Sequence, residues 1–188
     1  MVTNLKKIKF PPTVKVIGDY AFYGCRNLKK IKFPPELDYI GGYAFYECGC
    51  LTIKNLINVK KIAKDAFAGV TLKNKNQEDF VIKDGVLVQY IGKDSLVCIP
   101  STVSTIGHHA FAKVQNIVCV IIPSSVTSIE YYAFSNCLHL ATVEMTSSIN
   151  VIGDYAFENC VNLENIEIPS NIFLGRGVFS GAFSHKPQ

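Results

Sequence analysis

The stretch Ile122-Pro-Ser-Ser-Val-Thr-Ser-Ile-Glu-Tyr-Tyr-Ala-Phe-Ser-Asn-Cys137 decides the fold, because near-copies of it recur along the chain. Its Ala133-Phe134 pair returns at Ala21-Phe22, Ala44-Phe45, Ala66-Phe67, Ala110-Phe111 and Ala156-Phe157. Successive alanines lie 23, 22, 44, 23 and 23 residues apart, so the double step holds one disguised repeat. A seventh pair, Ala182-Phe183, falls out of register and is expected to mark a degenerate terminal unit over 170–188. Other positions keep the phase. Isoleucine stands four residues before each in-register alanine: Ile17, Ile40, Ile62, Ile106, Ile129 and Ile152. Four residues after it come Cys25, Cys48, Val70, Val114, Cys137 and Cys160. One such unit cannot bury its own apolar face, whereas stacked units can. Each buried Phe or Leu then contributes roughly 1.5–3 kcal/mol.

Each unit reads as one turn of a coil. Leu28-Lys-Lys-Ile-Lys-Phe33 ends in the alternation of a short strand, and Pro34 and Pro35 stop its pairing. Asp19 and Asp154 stand before Tyr-Ala-Phe, where an N-cap would open a single helical turn. The phase breaks over 71–97. Thr71–Asp79 is polar and reads as an exposed loop, and Phe80–Lys83 and Val86–Ile91 read as a hairpin around Asp84-Gly85. Ser95–Ile99 rejoins the register.

The Ile122–Cys137 stretch and Val151-Ile-Gly-Asp-Tyr-Ala-Phe-Glu-Asn-Cys160 resemble the BspA-type leucine-rich repeat family, over about residues 5–169. The resemblance implies an α/β repeat fold: a curved leucine-rich-repeat solenoid with a parallel concave sheet and short helical turns on the convex side. The expected organisation is one solenoid over 1–188, about eight coils, with 71–97 as its irregular unit. Family roles in adhesion and protein binding, at a cell surface or in secreted form, are implied in the same way. No apolar leader is visible at Met1–Lys6, and unpaired cysteines also suit the cytoplasm.

Composition narrows the function classes. The 188 residues are 48% hydrophobic and 18% charged, which rules out disorder. No apolar run reaches the roughly 18 residues of a membrane helix, so membrane insertion is not expected. A pI near 8.6 is too mild to argue for nucleic acid. The recurrent cysteines face the core and read as small hydrophobes. Cys48 and Cys50 have no second pair or histidine at zinc spacing, so no metal is expected. His108 and His109 replace the Asp-Tyr of other copies in a surface turn. Neither G-x-S-x-G nor H-E-x-x-H occurs. The expectation is a non-enzymatic protein without cofactors.

The net charge of +4 hides an asymmetry: residues 1–94 carry 16 Lys+Arg against 9 Asp+Glu, and 95–188 carry 3 against 6. The strand position before the last apolar residue should face solvent, and it reads Lys9, Lys32, Cys98, Ile121, Glu144 and Glu167. Neighbouring positions expected to be exposed follow the trend: Lys6, Lys7, Lys29 and Lys30, then Val118, Cys119, Ala141 and Thr142, then Glu164. The candidate partner-binding residues are therefore Lys7, Lys9, Lys30, Lys32, Val118, Ile121, Glu144 and Glu167. The expected partner is a protein, host and extracellular matrix proteins included, or a glycan. The N-terminal edge is open to self-association. Lysines also guard edge strands against aggregation, which accounts for Lys6, Lys7 and Lys9 better than for Lys29, Lys30 and Lys32. A structural spacer within a longer repeat protein is the alternative function. A second row, Tyr20, Tyr43, His109, Tyr132 and Tyr155, precedes the alanines and reads mainly as cover for the core edge.

Overall fold

The structure, a computed structural model, describes residues 5–49, 51–54, 56, 59–63, 65–68, 70 and 77–183. The chain forms two compact units, residues 1–74 and 75–188. In the first, strands β1 (Val16–Ile17), β3 (Tyr39–Ile40) and β5 (Lys61–Ile62) form one parallel ladder. A second pairs β2 (Lys30–Lys32) with β4 (Thr52–Lys54), and Lys7 joins Lys30 through a parallel bridge. The recurrent isoleucine is the core-facing residue of each short strand: Ile17, Ile40 and Ile62 are all nearly fully buried.

The second unit opens with the hairpin of β6 (Phe80–Lys83) and β7 (Val86–Tyr90). Asp84 and Gly85 both take positive φ, 51° and 78°, as a two-residue turn matched to strand twist requires. The remaining strands alternate between two sheets. Strands β8 (Leu96–Cys98), β10 (Cys119–Ile121), β12 (Thr142–Glu144) and β14 (Asn165–Ile166) make a four-stranded parallel sheet. Strands β9 (Thr105–Ile106), β11 (Ser128–Ile129), β13 (Val151–Ile152) and β15 (Phe173–Leu174) continue from β7 into the other. Register pairs equal repeat positions, Val120 with Val143 and Ile129 with Ile152, so the sequence period becomes a spatial translation.

The expected helical turns are absent: no α-helix occurs among the described residues, where 3-10 geometry is found at Leu56 and at Gln77–Asp79. The backbone explains why. Tyr132 and Asn136 flank Ala-Phe at φ 55° and 58°, and Tyr20 and Gly24 do the same at 57° and 67°. A left-handed residue every fourth position cannot propagate a right-handed helix. The N–H groups alternate instead. Those of Ala133, Ser135 and Cys137 bond three residues back, while those of Tyr132, Phe134 and Asn136 reach the carbonyls of Asp154, Ala156 and Glu158 in the next coil. Tyr20, Phe22 and Gly24 reach Gly42, Ala44 and Tyr46 in the same way. The turn side is thus a further inter-coil ladder. Nor do the aspartates cap helices: Asp19 Oδ1 accepts from the Gly42 N–H and Asp154 Oδ1 from the Arg176 N–H, both at 2.8 Å and both across coils.

The core of the second unit is a column of stacked rings. Phe111, Phe134 and Phe157 are fully buried, with centroids 4.7 and 5.0 Å apart and near-parallel planes. Tyr90 stacks on Phe111 at 5.1 Å, and its N–H bonds the Ala110 carbonyl as Phe111 bonds Ala133. The hairpin is therefore the disguised repeat, with Tyr90 in the phenylalanine position. At the far end Val178-Phe179, not Ala182-Phe183, holds the register: Phe179 stacks on Phe157 at 5.6 Å and Phe157 N–H bonds the Val178 carbonyl. The first unit has its own column, Phe22, Phe45 and Phe67, spaced 5.2 and 5.3 Å.

Candidate functional site

The sheet face of the first unit is built by β2 and its neighbours. Ile31, 1% exposed, points into the core, so Lys30 and Lys32 on either side of it point outward and are exposed. Lys7 lies abreast of Lys30, and Lys54 is in register with Lys32. Lys6, Lys9 and Lys29 are exposed as well. Among the described residues no carboxylate pairs with the side chain of Lys6, Lys7, Lys9, Lys29, Lys30 or Lys32; the acids with lysine or arginine partners are Glu47, on Arg26, and Asp38, on Lys60. Parallel pairing holds like charges about 4.8 Å apart from strand to strand, an arrangement that opposes folding by itself. The unit carries 13 Lys+Arg against 5 Asp+Glu, and the second unit 6 against 10.

The candidates in the second unit fall into two classes. Cys98, Ile121 and Glu144 stand abreast in one row, all half-buried, and Glu167 follows just past β14, exposed. The other outward row is not exposed as expected. Leu96, Cys119 and Thr142 are 3%, 0% and 1% exposed, and Val118 and Ala141 are also buried. Leu96, Cys119 and Thr142 lie opposite Val97, Val120 and Val143, which enter the core, while Val118 and Ala141 share the parity of Val120 and Val143. Side chains packed abreast at strand spacing shield one another from water. Val118 is thus a buried residue and drops out of the accessible face, whereas Ile121, Glu144 and Glu167 stay in it. The structure unites Lys7 with Lys30, and Ile121 with Glu144; the lysines and the remaining candidates belong to different units.

The recurrent cysteines are structural in geometry. Cys48, Cys137 and Cys160 donate S–H···O bonds to the carbonyls of Phe22, Phe111 and Phe134 in the preceding coil, at 3.1, 3.0 and 3.2 Å. Burial pushes the Cys48 and Cys160 thiols up to about 12 and raises Cys25 and Cys137 as well. Such thiols are poor nucleophiles and poor metal ligands. Among the described residues no group of three or more His, Cys, Asp or Glu could hold a metal ion.

The turn side carries more aromatic order than the residues before alanine revealed. Tyr20 and Tyr43 stack at 5.3 Å, as do His109 with Tyr132 and Tyr132 with Tyr155 at 5.3 and 5.2 Å. Two further ring pairs were not anticipated: Tyr23 on Tyr46 at 5.0 Å in the first unit, at the position two residues after alanine, and His108 on Tyr131 at 5.1 Å in the second, two residues before it. The signal for them was present as tyrosine two residues after Ala21 and Ala44, and as the doubled ring residues at 108–109 and 131–132. Arg176 closes the column over Tyr155 at 5.8 Å. These rings mainly cover coil junctions, although Tyr20 and Tyr131 remain well exposed.

The sequence model of the family described as "BspA type Leucine rich repeat region" matches residues 1–96 and 89–186, in six copies. A leucine-rich repeat protein from Bacteroides ovatus ATCC 8483 is similar at 28% identity with a TM-score of 0.44, covering 95% of this chain and 42% of that one. The leucine-rich repeat protein of T. pallidum is 24% identical with a TM-score of 0.44, covering 94% and 76%. The pneumococcal vaccine antigen PcpA is 20% identical with a TM-score of 0.52, covering 90% and 52%, a likeness of fold. This chain therefore spans less than half the length of the B. ovatus protein and about half that of PcpA. No curated protein is significantly similar to it in sequence.

Proposed function

The chain belongs to the BspA-type leucine-rich repeat family, and from that premise we propose that it is a non-enzymatic interaction module that binds its partner through the strand-bearing sheet face, in an adhesive role. One observation carries the reading: outward strand positions hold chemistry that the fold does not need. Ile31 alone serves the core at its place in β2, yet Lys30 and Lys32 are set in register with further lysines at an electrostatic cost. An edge-guarding role is a poor fit for them, because β2 is paired on both sides. In the second unit, half-buried Ile121 beside Glu144 offers a mixed apolar and acidic patch of the kind that recurs at partner sites.

The test is capture of matrix proteins and glycans by the immobilised chain and three variants. Lys30→Glu with Lys32→Glu alters one sheet face, Ile121→Ser with Glu167→Gln the other, and Tyr20→Ser with Tyr131→Ser the turn side. The proposal expects at least one sheet-face variant to lose capture at unchanged melting temperature. Capture lost only in the turn-side variant sinks it. A chain that captures nothing at all supports the spacer reading instead.

A further inference from the structure

We infer that the lysine face of the first unit binds a linear sulfated polysaccharide. The inference rests on the sheet-face reading above and names the ligand class for one of its two faces. Two successive coils carry the same tetrad, Lys6-Lys7-Ile8-Lys9 and Lys29-Lys30-Ile31-Lys32. The bridge of Lys7 to Lys30 sets the tetrads abreast. The resulting net has lysine-bearing backbone positions about 4.8 Å apart across strands and roughly 6.6 Å apart along them, from which flexible side chains reach out. All six lysines of the tetrads are exposed and without an acidic partner among the described residues.

The chemistry of the face selects among polyanions. Protein interfaces are depleted of lysine and centred on aromatic residues and arginine. Among the described residues none of those is on this face: Phe33 is buried, Phe10 packs on the rings of Phe22 and Phe33, and Arg26 lies outside the tetrads, paired with Glu47. Single-stranded nucleic acid is held by stacking on aromatic rings, and the turn-side tyrosines are not part of the lysine net. A flexible ammonium is a point charge that suits dispersed sulfates without a fixed approach angle. A chain of sulfated sugars asks for cations at repeated intervals and little else, which is what two stacked tetrads present.

The test is titration of the full chain with a size-defined heparin oligosaccharide, its desulfated form, polyglutamate and single-stranded RNA, each over a range of salt concentrations. The expected result is binding of the sulfated oligosaccharide alone. Lys30→Gln with Lys32→Gln should weaken it about tenfold and lower the slope of log Kd against log salt by about 2. Removing repelling charges leaves the melting temperature unchanged or higher, which separates lost contacts from lost folding. Lys15→Gln with Lys60→Gln, exposed residues of the same unit outside the tetrads, should leave affinity nearly unchanged. Equal weakening by that control pair overturns the inference, as does equal affinity for polyglutamate or RNA, or no binding of heparin. A chain that ignores heparin yet captures a protein through Ile121 and Glu167 defeats this inference and leaves the broader proposal standing.

Discussion

Replacing Gly41 with alanine would put a methyl carbon 2.5 Å from the Asp19 amide nitrogen and 2.7 Å from the Gly18 carbonyl carbon. Both are backbone atoms of the preceding coil, which cannot rotate aside, and the two coils are tied here by the Gly41 N–H to Ile17 carbonyl bond of 2.8 Å. Gly18 holds the same repeat position one coil earlier, yet a Cβ there meets nothing within 4 Å. Neither glycine has positive φ, so the comparison isolates coil approach from backbone freedom. Overpacking of this kind costs about 1–3 kcal/mol. The smaller unfolded-state entropy of alanine returns about 0.4–1 kcal/mol. Gly41→Ala should then destabilise by about 1–2 kcal/mol, lowering Tm by about 3–6 °C, and Gly18→Ala should raise Tm by about 1–3 °C. Thermal unfolding followed by circular dichroism reads both. Equal shifts of the same sign would show that the repeated glycine serves local turn conformation, and the stacking argument would fail.

Three further outcomes follow from the ring column and the buried thiols. Phe134→Ala, between two fully buried rings, should cost about 3–5 kcal/mol in urea unfolding, and Phe179→Ala at the half-buried end roughly half as much. Equal costs would contradict the column. Burial raises the Cys160 thiol to about 12 and so suppresses its thiolate, and iodoacetamide with mass spectrometry at pH 8 should label half-buried Cys98 long before Cys137 or Cys160. Early labelling of Cys160 would contradict its buried S–H···O bond. Because the folded thiols of Cys48 and Cys160 titrate near 12 and the ordinary value is 9.0, the folded state holds more protons between those limits. Their stabilising contribution is intact below about pH 8.5 and falls as pH rises through 9 toward 12. A urea midpoint that rises from pH 9 to pH 11 would contradict this.

The parallel stack was legible because a fixed period needs no knowledge of angles: Ile129 over Ile152 and Phe134 over Phe157 follow from spacing alone. The turn side was misread because Asp-Tyr-Ala-Phe satisfies helix-start patterns, while the left-handed Tyr20 and Tyr132 are set by hydrogen bonds to the next coil. Those are long-range partners that local propensity does not weigh. At the C-terminal end Ala182-Phe183 lies out of register, as its spacing requires, and the pairing of Phe173–Leu174 with β13 places Val178-Phe179 in phase instead, a register that no Ala-Phe pair marks in the sequence. At the candidate face, Lys30 and Lys32 lie outward as alternation about core-facing Ile31 requires, whereas Val118 shares the parity of core-facing Val120 and is buried, so that position follows the core and not the outward row.

The central claim is that the sheet side, not the aromatic turn side, carries recognition. Nitrogen-15 chemical-shift mapping with the heparin oligosaccharide tests it most directly. The account predicts that amide shifts concentrate at Lys6–Lys9 and Lys29–Lys32. Shifts confined to Tyr20, Tyr23, Tyr43 and Tyr46, with the lysine strands unmoved, would contradict it.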